Sequence, residues 1–140
     1  MKRILVLPLV LLILPHVWAV SINSLLLNPE NYDNKLVTVE GEVIGILRKE
    51  NFVWINIVGD KAGIGVWCPA KLAENVKVAA DYHHRGDLIR VTGRFHAACL
   101  EHGGDPDIHA AKIELLSRGE EIPREVDWLW MVASLVFLII

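Results

Sequence analysis

The sequence lacks the short motifs of several common enzyme classes. It contains no Gly-x-Ser-x-Gly nucleophile elbow, no phosphate-binding loop and no His-Glu-x-x-His zinc-protease helix. Cys99 with His96 or His102 could form a thiolate–imidazolium pair, but nothing in the sequence marks a substrate pocket for it. We therefore expect a binding module and not an enzyme.

Positive charge is also scarce. Fourteen Lys and Arg face seventeen Asp and Glu, which gives a formal net charge of −3 at pH 7. Removal of a leader carrying Lys2 and Arg3 would leave 12 basic against 17 acidic residues. Such a balance is a poor electrostatic footprint for double-stranded nucleic acid, but it leaves open the binding of a single strand on a local patch.

Long apolar runs are confined to the two ends of the chain. Residues 1–19 combine a basic start, an apolar run and small residues before Ala19, as in a signal peptide cleaved after that residue. An uncleaved N-terminal anchor is the alternative, because apolar residues resume at Val20. Both interpretations place the middle of the chain outside the cytoplasm, at the cell membrane.

Residues 128–140 carry no charge and begin with Trp128 and Trp130, the aromatic residues typical of a membrane interface. As a helix this segment would reach about 20 Å, short of the ~30 Å hydrocarbon core. We predict a C-terminal membrane segment joined by the polar linker 120–127, with a buried core helix as the alternative.

The middle of the chain, residues 20–119, alternates apolar and polar residues as half-buried strands do. A short helical pattern follows Ser21. The predicted strands are Leu36–Arg48, Phe52–Val58, Ile64–Cys68, Asp87–Ala98 and Ile108–Leu116, with a helix over Ala70–Ala80 between the third and fourth. This order predicts an all-β, five-stranded OB-fold Greek-key barrel, with an SH3-like barrel as the alternative.

Four segments carry a family resemblance: Val-Thr-Val-Glu-Gly-Glu-Val over 37–43, Ile-Gly-Val-Trp over 64–67, Gly-Asp-Leu-Ile-Arg-Val-Thr-Gly over 86–93, and Cys-x-Glu-His-Gly-Gly-Asp-x-Asp-Ile-His-Ala over 99–110. They are similar to those of small bacterial membrane-anchored OB-fold proteins, usually labelled uncharacterised, DNA-binding or tRNA anticodon-binding-like. The resemblance covers residues 21–119 and implies nucleic-acid binding. The sequence is also distantly similar to the haem-chaperone OB domains of cytochrome c maturation. It does not contain the haem-linking histidine motif of those domains.

The second and third strands of an OB-fold, with the loop between the fourth and fifth, form its usual ligand face. Aromatic side chains on the outside of these strands could stack on bases or sugar rings, or simply cover the end of the barrel. Arginines on the fourth strand could hold phosphates or form a solvated face. The candidate ligand-binding residues are Phe52, Trp54, Asn56, Trp67, Arg90, Arg94, Glu101, His102, Asp105 and Asp107.

The same loop carries metal-ligand chemistry. His96-x-x-Cys99-x-x-His102, followed by His109, offers donors suited to zinc or copper. His96 ends the fourth strand and His109 lies in the fifth, so neighbouring strands could bring them together. Asp105 and Asp107 could ligate the ion or orient the imidazoles. The alternative is a hydrogen-bonded loop in which these aspartates cap backbone amides and Gly103-Gly104 adopts positive φ.

The two cysteines, Cys68 and Cys99, are predicted to end the third and fourth strands. A disulfide between them is the weaker alternative to two free thiols, because those strands are not neighbours in the usual barrel and a bridge needs Cα atoms within about 7 Å.

Three functions remain open from the sequence. The first is a membrane-tethered module that binds single-stranded nucleic acid or another oligomeric ligand. The second is a metal-binding or redox-linked periplasmic accessory protein that uses the Cys/His loop. The third is a structural domain of a membrane-protein complex.

Overall fold

A computed structural model gives the placement of residues 19–123 and 128–139. Its main elements are α1 (Ile22–Leu27), β1 (Leu36–Arg48), β2 (Phe52–Val58), β3 (Gly63–Pro69), β4 (Leu88–His96), β5 (Asp107–Ser117) and α2 (Trp128–Ile139). Short 3-10 turns lie in the connections, at Pro29–Asn31, Ala70–Ala73 and Leu100–His102. The five predicted strands are therefore confirmed, with bounds that differ by at most two residues.

The strands close into a barrel in the order β1-β2-β3-β5-β4. β1 pairs antiparallel with both β2 and β4, which its length of 13 residues allows. The barrel closes where β3 runs parallel to β5, with Trp67 opposite His109. This is the arrangement of the five-stranded Greek-key OB barrel, and it places the β4–β5 loop beside the outer face of β2 and β3.

The alternation of apolar and polar residues sets which side of each strand enters the core. On β2, Val53, Ile55 and Ile57 are completely buried, whereas Phe52 and Trp54 stay partly exposed on the outside. Burial of one such aliphatic side chain contributes about 2 kcal/mol. The predicted inward and outward faces of β2 are thus confirmed.

A bulge bends β1 between Val43 and Gly45, where the strand leaves β4 and continues along β2. A side chain at Gly41 would meet the carbonyl oxygen of Val58 at 3.0 Å. The glycine therefore permits the close approach of β1 and β2 that a tightly coiled barrel requires.

Helix α1 covers one end of the barrel. Its N-cap is Ser21, whose hydroxyl accepts a hydrogen bond from the backbone N–H of Ser24 at 3.1 Å. Ile22 and Leu25 are buried and join the core. The backbone N–H of Val20 donates to β1, so this segment is attached to the barrel before the helix begins.

The α-helix predicted over Ala70–Ala80 is wrong. A 3-10 turn ends at Ala73, and the rest of the segment is irregular. The backbone N–H groups of Lys77 and Val78 donate to the buried carboxylate of Asp87, at 2.7 and 3.1 Å. Helical spacing was present, but these tertiary hydrogen bonds replace the i→i−4 bonds of a helix.

The side chain of Asp87 joins the start of β4 to the segment 77–78 and to the segment 118–119 by hydrogen bonds. Besides the two backbone groups above, its carboxylate accepts hydrogen bonds from the Arg118 guanidinium at 2.8 Å and the Gly119 N–H at 2.9 Å. Burial raises the pKa of Asp87, but these donors and the charge of Arg118 outweigh that effect and hold the pKa below its ordinary value.

The structure describes most of the predicted C-terminal segment but only the last residue of the predicted signal peptide. The expected signal peptide lies outside the described residues, apart from Ala19. The expected C-terminal membrane segment contains α2, on which Trp128, Leu129 and Phe137 are exposed. Among the described helices, none is both long enough and apolar enough to cross a membrane. Membrane anchoring stays a prediction.

We predict that Asp87→Ala lowers the free energy of unfolding by about 3 kcal/mol at pH 7, because four donors lose a buried acceptor. Because the folded pKa of Asp87 is depressed, its stabilisation is present above the unfolded pKa of about 4 and is lost as pH falls below it. Urea unfolding at several pH values measures this. The gap between wild type and variant should shrink in acid, and the exposed-turn control Asp60→Ala should show no comparable gap.

Candidate metal centre

The β4–β5 connection is a tight loop held by its own backbone. The N–H of Cys99 donates to the carbonyl of Asp105 at 3.1 Å, and the N–H of Gly104 donates to the carbonyl of Cys99 at 2.8 Å. Gly103 and Gly104 adopt φ of 86° and 90°, where glycine is favoured. The loop thus brings Cys99 back towards the start of β5.

Asp107 is at the centre of the site. It is the first residue of β5, and its side chain is fully buried. Its Oδ1 accepts a hydrogen bond from His96 Nδ1 at 3.0 Å, and its Oδ2 accepts one from His102 Nδ1 at 2.5 Å. The Nε2 of His109 lies 3.2 Å from Oδ2. One buried carboxylate therefore fixes three imidazoles.

Three donor atoms surround Asp107 Oδ2. Cys99 Sγ lies 3.4 Å from His102 Nδ1 and 3.5 Å from His109 Nε2. The two imidazole nitrogens are 3.3 Å apart. One sulfur, two nitrogens and one carboxylate oxygen thus converge on a common point.

Four of the separations between these atoms, from 3.2 to 3.5 Å, are close to those of a tetrahedral metal centre. Zinc bonds of about 2.0–2.3 Å to nitrogen, oxygen and sulfur give ligand–ligand separations of roughly 3.3–3.8 Å in a tetrahedron. The His102–Asp107 distance is shorter, because these two atoms are hydrogen-bonded. Donor atoms of His96, Cys99, Asp107 and His109 lie within 4.8 Å of one another, and any of these residues could hold an ion. His102 offers a further imidazole nitrogen close to Cys99, Asp107 and His109. His96 bonds the outer oxygen of the carboxylate and would keep it oriented.

The electrostatics of the two central groups are opposed. Burial raises the pKa of Asp107, but hydrogen bonds from His102, His96 and Cys99 and the charge of His109 lower it further than burial raises it. Burial, together with the hydrogen bond to Asp107 and its negative charge, raises the pKa of the Cys99 thiol. The carboxylate is thus held ionised, whereas Cys99 would lose its proton to become a metal ligand.

An aromatic wall covers the outer side of the cluster. The ring of Trp67 lies 5.1 Å from that of His109 and 6.3 Å from that of Phe52, and Trp54 meets His102 edge to face at 5.0 Å. The sequence predicted the shared outer face of Phe52, Trp54 and Trp67 but not the contacts of the tryptophans with the histidines. The contact of Trp67 with His109 follows from the parallel β3–β5 pairing, which an OB topology implies once it is recognised.

Gly65 makes room for this wall. A side chain at Gly65 would come within 2.2 Å of the Trp54 ring, so only glycine lets the indole lie flat across β3. The Trp54 Nε1–H donates to the amide oxygen of the exposed Asn56 at 2.9 Å. The aromatic face predicted from the sequence therefore includes Asn56 as the partner of Trp54.

The structure ties the two arginines to protein groups. Arg90 pairs with Glu40 at 2.7 Å, and Arg94 donates to the backbone carbonyl of Asn34 at 2.5 Å. Arg90 sits in an ion-pair cluster on β1, β4 and β5, away from the aromatic wall. Asp105 is exposed and serves the loop through its backbone.

Both cysteines are free thiols. Cys68 is completely buried and donates a hydrogen bond to the carbonyl of Val53, and burial raises its pKa to about 11. Such a thiol is chemically inert at neutral pH. Cys99 is thus the cysteine that faces the site.

A cavity of about 370 Å³ opens on the other side of the cluster, away from the tryptophans. His96, Cys99, Glu101 and His109 contribute to its wall. Asp33 and Asn34 from the turn before β1 complete it. They lie there because the Ala97 N–H donates to Asp33.

No protein-family profile and no curated protein sequence matches the chain. Solved structures with the same fold include asparaginyl-tRNA synthetase from Pyrococcus horikoshii, with a TM-score of 0.53 and 18% identity over 73% of this chain. The complex of that enzyme with asparaginyl-adenylate is equally similar, at 0.53 and 18%. The match spans about a quarter of the synthetase, 24% and 23% of the two chains. At this identity the likeness establishes the fold alone.

We predict that Asp107→Ala destabilises the metal-free protein by about 3 kcal/mol, because two partly buried imidazoles lose their hydrogen-bond acceptor and His109 loses the carboxylate beside it. Thermal or urea unfolding in the presence of a chelator measures this. His83→Ala, in an exposed turn, is the matched control and should change stability by less than about 0.5 kcal/mol. Equal stability of Asp107→Ala and wild type would contradict the role given to the carboxylate.

Proposed function

We propose that the protein is an OB-fold module that binds one transition-metal ion at Cys99, His102, Asp107 and His109. The observation that carries the proposal is the convergence of one sulfur, two nitrogens and one oxygen, with most separations between 3.2 and 3.5 Å.

The donor set favours zinc. Imidazole and thiolate suit both zinc and copper, but a buried carboxylate oxygen is a harder ligand and fits Zn²⁺ better than Cu⁺. Copper is the second choice. The proposed role is that of a binding module and not of an enzyme, since the best-formed feature is a ligand set.

We further propose that the module is tethered at the membrane on the extracytoplasmic side, as in the small bacterial proteins that the sequence resembles. Support comes from the leader-like residues 1–19 and from the exposed apolar residues of α2. A role as a structural domain within a membrane-protein complex would share this location.

Titration of the full chain, stripped of metal by a chelator, tests the metal site. Co²⁺ is the probe, because a tetrahedral Co²⁺–thiolate centre absorbs visible light and gives a sulfur-to-metal charge-transfer band. We expect one equivalent to bind and Zn²⁺ to displace it. Cys99→Ser should remove the charge-transfer band, and His96→Ala should weaken affinity by about 10–100-fold.

Cys68→Ala is the matched control, since its thiol is buried in the core and points to a backbone carbonyl. This variant should keep the band in the fraction that folds. A band that survives Cys99→Ser, or that needs Cys68, would overturn the assignment.

A second candidate function is the binding of single-stranded nucleic acid or another oligomeric ligand across Phe52, Trp54 and Trp67. Two observations favour it. These rings stand partly exposed on the face that OB-folds use for oligonucleotides, and two solved structures of the same fold are of an enzyme named for tRNA. The acidic net charge opposes it.

Fluorescence titration with single-stranded DNA at low salt tests this candidate. We expect tryptophan quenching that weakens as salt rises, and a loss of about 1–3 kcal/mol in binding free energy for Trp67→Ala. Tyr82→Ala, at an exposed aromatic outside this face, is the control. Quenching that is indifferent to salt, or to loss of Trp67, would count against nucleic acid.

A further inference from the structure

The hydrophobic core of the barrel is built without the proposed metal ligands. The core is a continuous set of buried aliphatic side chains from all five strands. The loop that carries the ligands is closed by backbone hydrogen bonds of Cys99, His102 and Gly104, and Asp107 has protein partners on both oxygens. Structural zinc sites, in contrast, supply folding energy to domains that are unfolded without the ion.

A second ligand set overlaps the first. Glu101, His102 and His109 also have donor atoms within 4.8 Å of one another. Two of them belong to the inner set, while Glu101 is exposed at the surface of the loop. The two imidazoles could therefore bind an ion together with either the outer carboxylate or the inner thiol.

Two members of this outer set, Glu101 and His109, line the cavity beside the cluster. Its wall contains the exposed carboxylates Glu101 and Asp33. The guanidinium of Arg94 donates to the carbonyl of Asn34, which also lines the cavity. Two carboxylates at the mouth of a cleft raise the local concentration of cations.

We propose that the ion is exchangeable cargo and not a permanent structural cofactor, and that it enters and leaves through Glu101. This inference rests on the proposed metal site. A hydrated divalent cation first binds the Glu101 carboxylate with His102 and His109, and sheds water there. It then moves to Asp107 and Cys99, whose thiol proton passes to solvent as sulfur binds the ion. Release to an acceptor with nitrogen or sulfur ligands follows the reverse path.

This order of events follows from ligand chemistry. Glu101 is exposed, so a hydrated ion reaches its carboxylate first. Cys99 and Asp107 are buried, so they bind the ion only after it has shed water, in the final and tighter state. The two histidines stay bound throughout, and the ion is never without protein ligands.

Stopped-flow absorbance on the full chain tests the proposal. Co²⁺ uptake and its extraction by an excess of chelator are followed in wild type, Glu101→Gln and Glu74→Gln. Glu74 is exposed on another part of the barrel and serves as the matched control. For Glu101→Gln we expect both rates to fall by about tenfold with an unchanged equilibrium dissociation constant. Glu74→Gln should behave as wild type.

Far-UV circular dichroism of the metal-free protein gives the second readout. We expect the same β-rich spectrum and a cooperative melt with and without Co²⁺. A metal-free chain that is unfolded would make the ion structural and overturn the inference, while leaving the metal site itself intact. Unchanged rates in Glu101→Gln would do the same. No Co²⁺–thiolate band in wild type would overturn the proposed metal site and this inference together.

Discussion

The buried carboxylate of Asp107 is the constraint on which the site depends. Burial of a carboxylate costs free energy unless hydrogen bonds replace those that it made to water. For Asp107 these hydrogen bonds come from His96 at the end of β4 and from His102 in the β4–β5 loop. The position of His96 at the end of β4, the turn of the loop through His102 and the start of β5 are therefore coupled. Displacement of any one of them would take a partner away from a buried carboxylate.

The two buried aspartates of the barrel illustrate two uses of the same group. Asp87 accepts mostly backbone N–H groups, which cannot leave without unfolding the segment that carries them. Asp107 accepts imidazole N–H groups, which can rotate or lose a proton. The carboxylate of Asp87 therefore has a purely structural role. That of Asp107 can exchange a hydrogen bond for a metal bond while the fold stays as it is.

The metal cluster and the aromatic face share a wall. Trp67 touches the ring of His109 on one side and that of Phe52 on the other, and Trp54 packs against His102. An ion at the cluster would fix the imidazoles against these indoles. A ligand stacked on the indoles would in turn press on the imidazoles. The two candidate sites therefore meet at the rings of His102 and His109.

Much of the barrel could be read from local pattern. Alternation of apolar and polar residues predicted five strands and the buried side of β2, because side-chain direction in a strand has a period of two. The pattern failed over Ala70–Ala80, where helical spacing was real but Asp87, ten residues away, took the backbone donors. Local propensity carries no information about a partner that distant.

For the site, the sequence by itself determined the ligand types and the loop that carries them, since Cys99, His102 and His109 lie within eleven residues. It also determined the positive φ of Gly103 and Gly104. Only the tertiary structure decided that Asp107 points inward between the imidazoles, that Trp67 lies against His109, and that Asp33 lines the cavity. The physical reason is barrel closure: the parallel contact of β3 with β5 and the packing of the turn before β1 join residues that no local spacing relates.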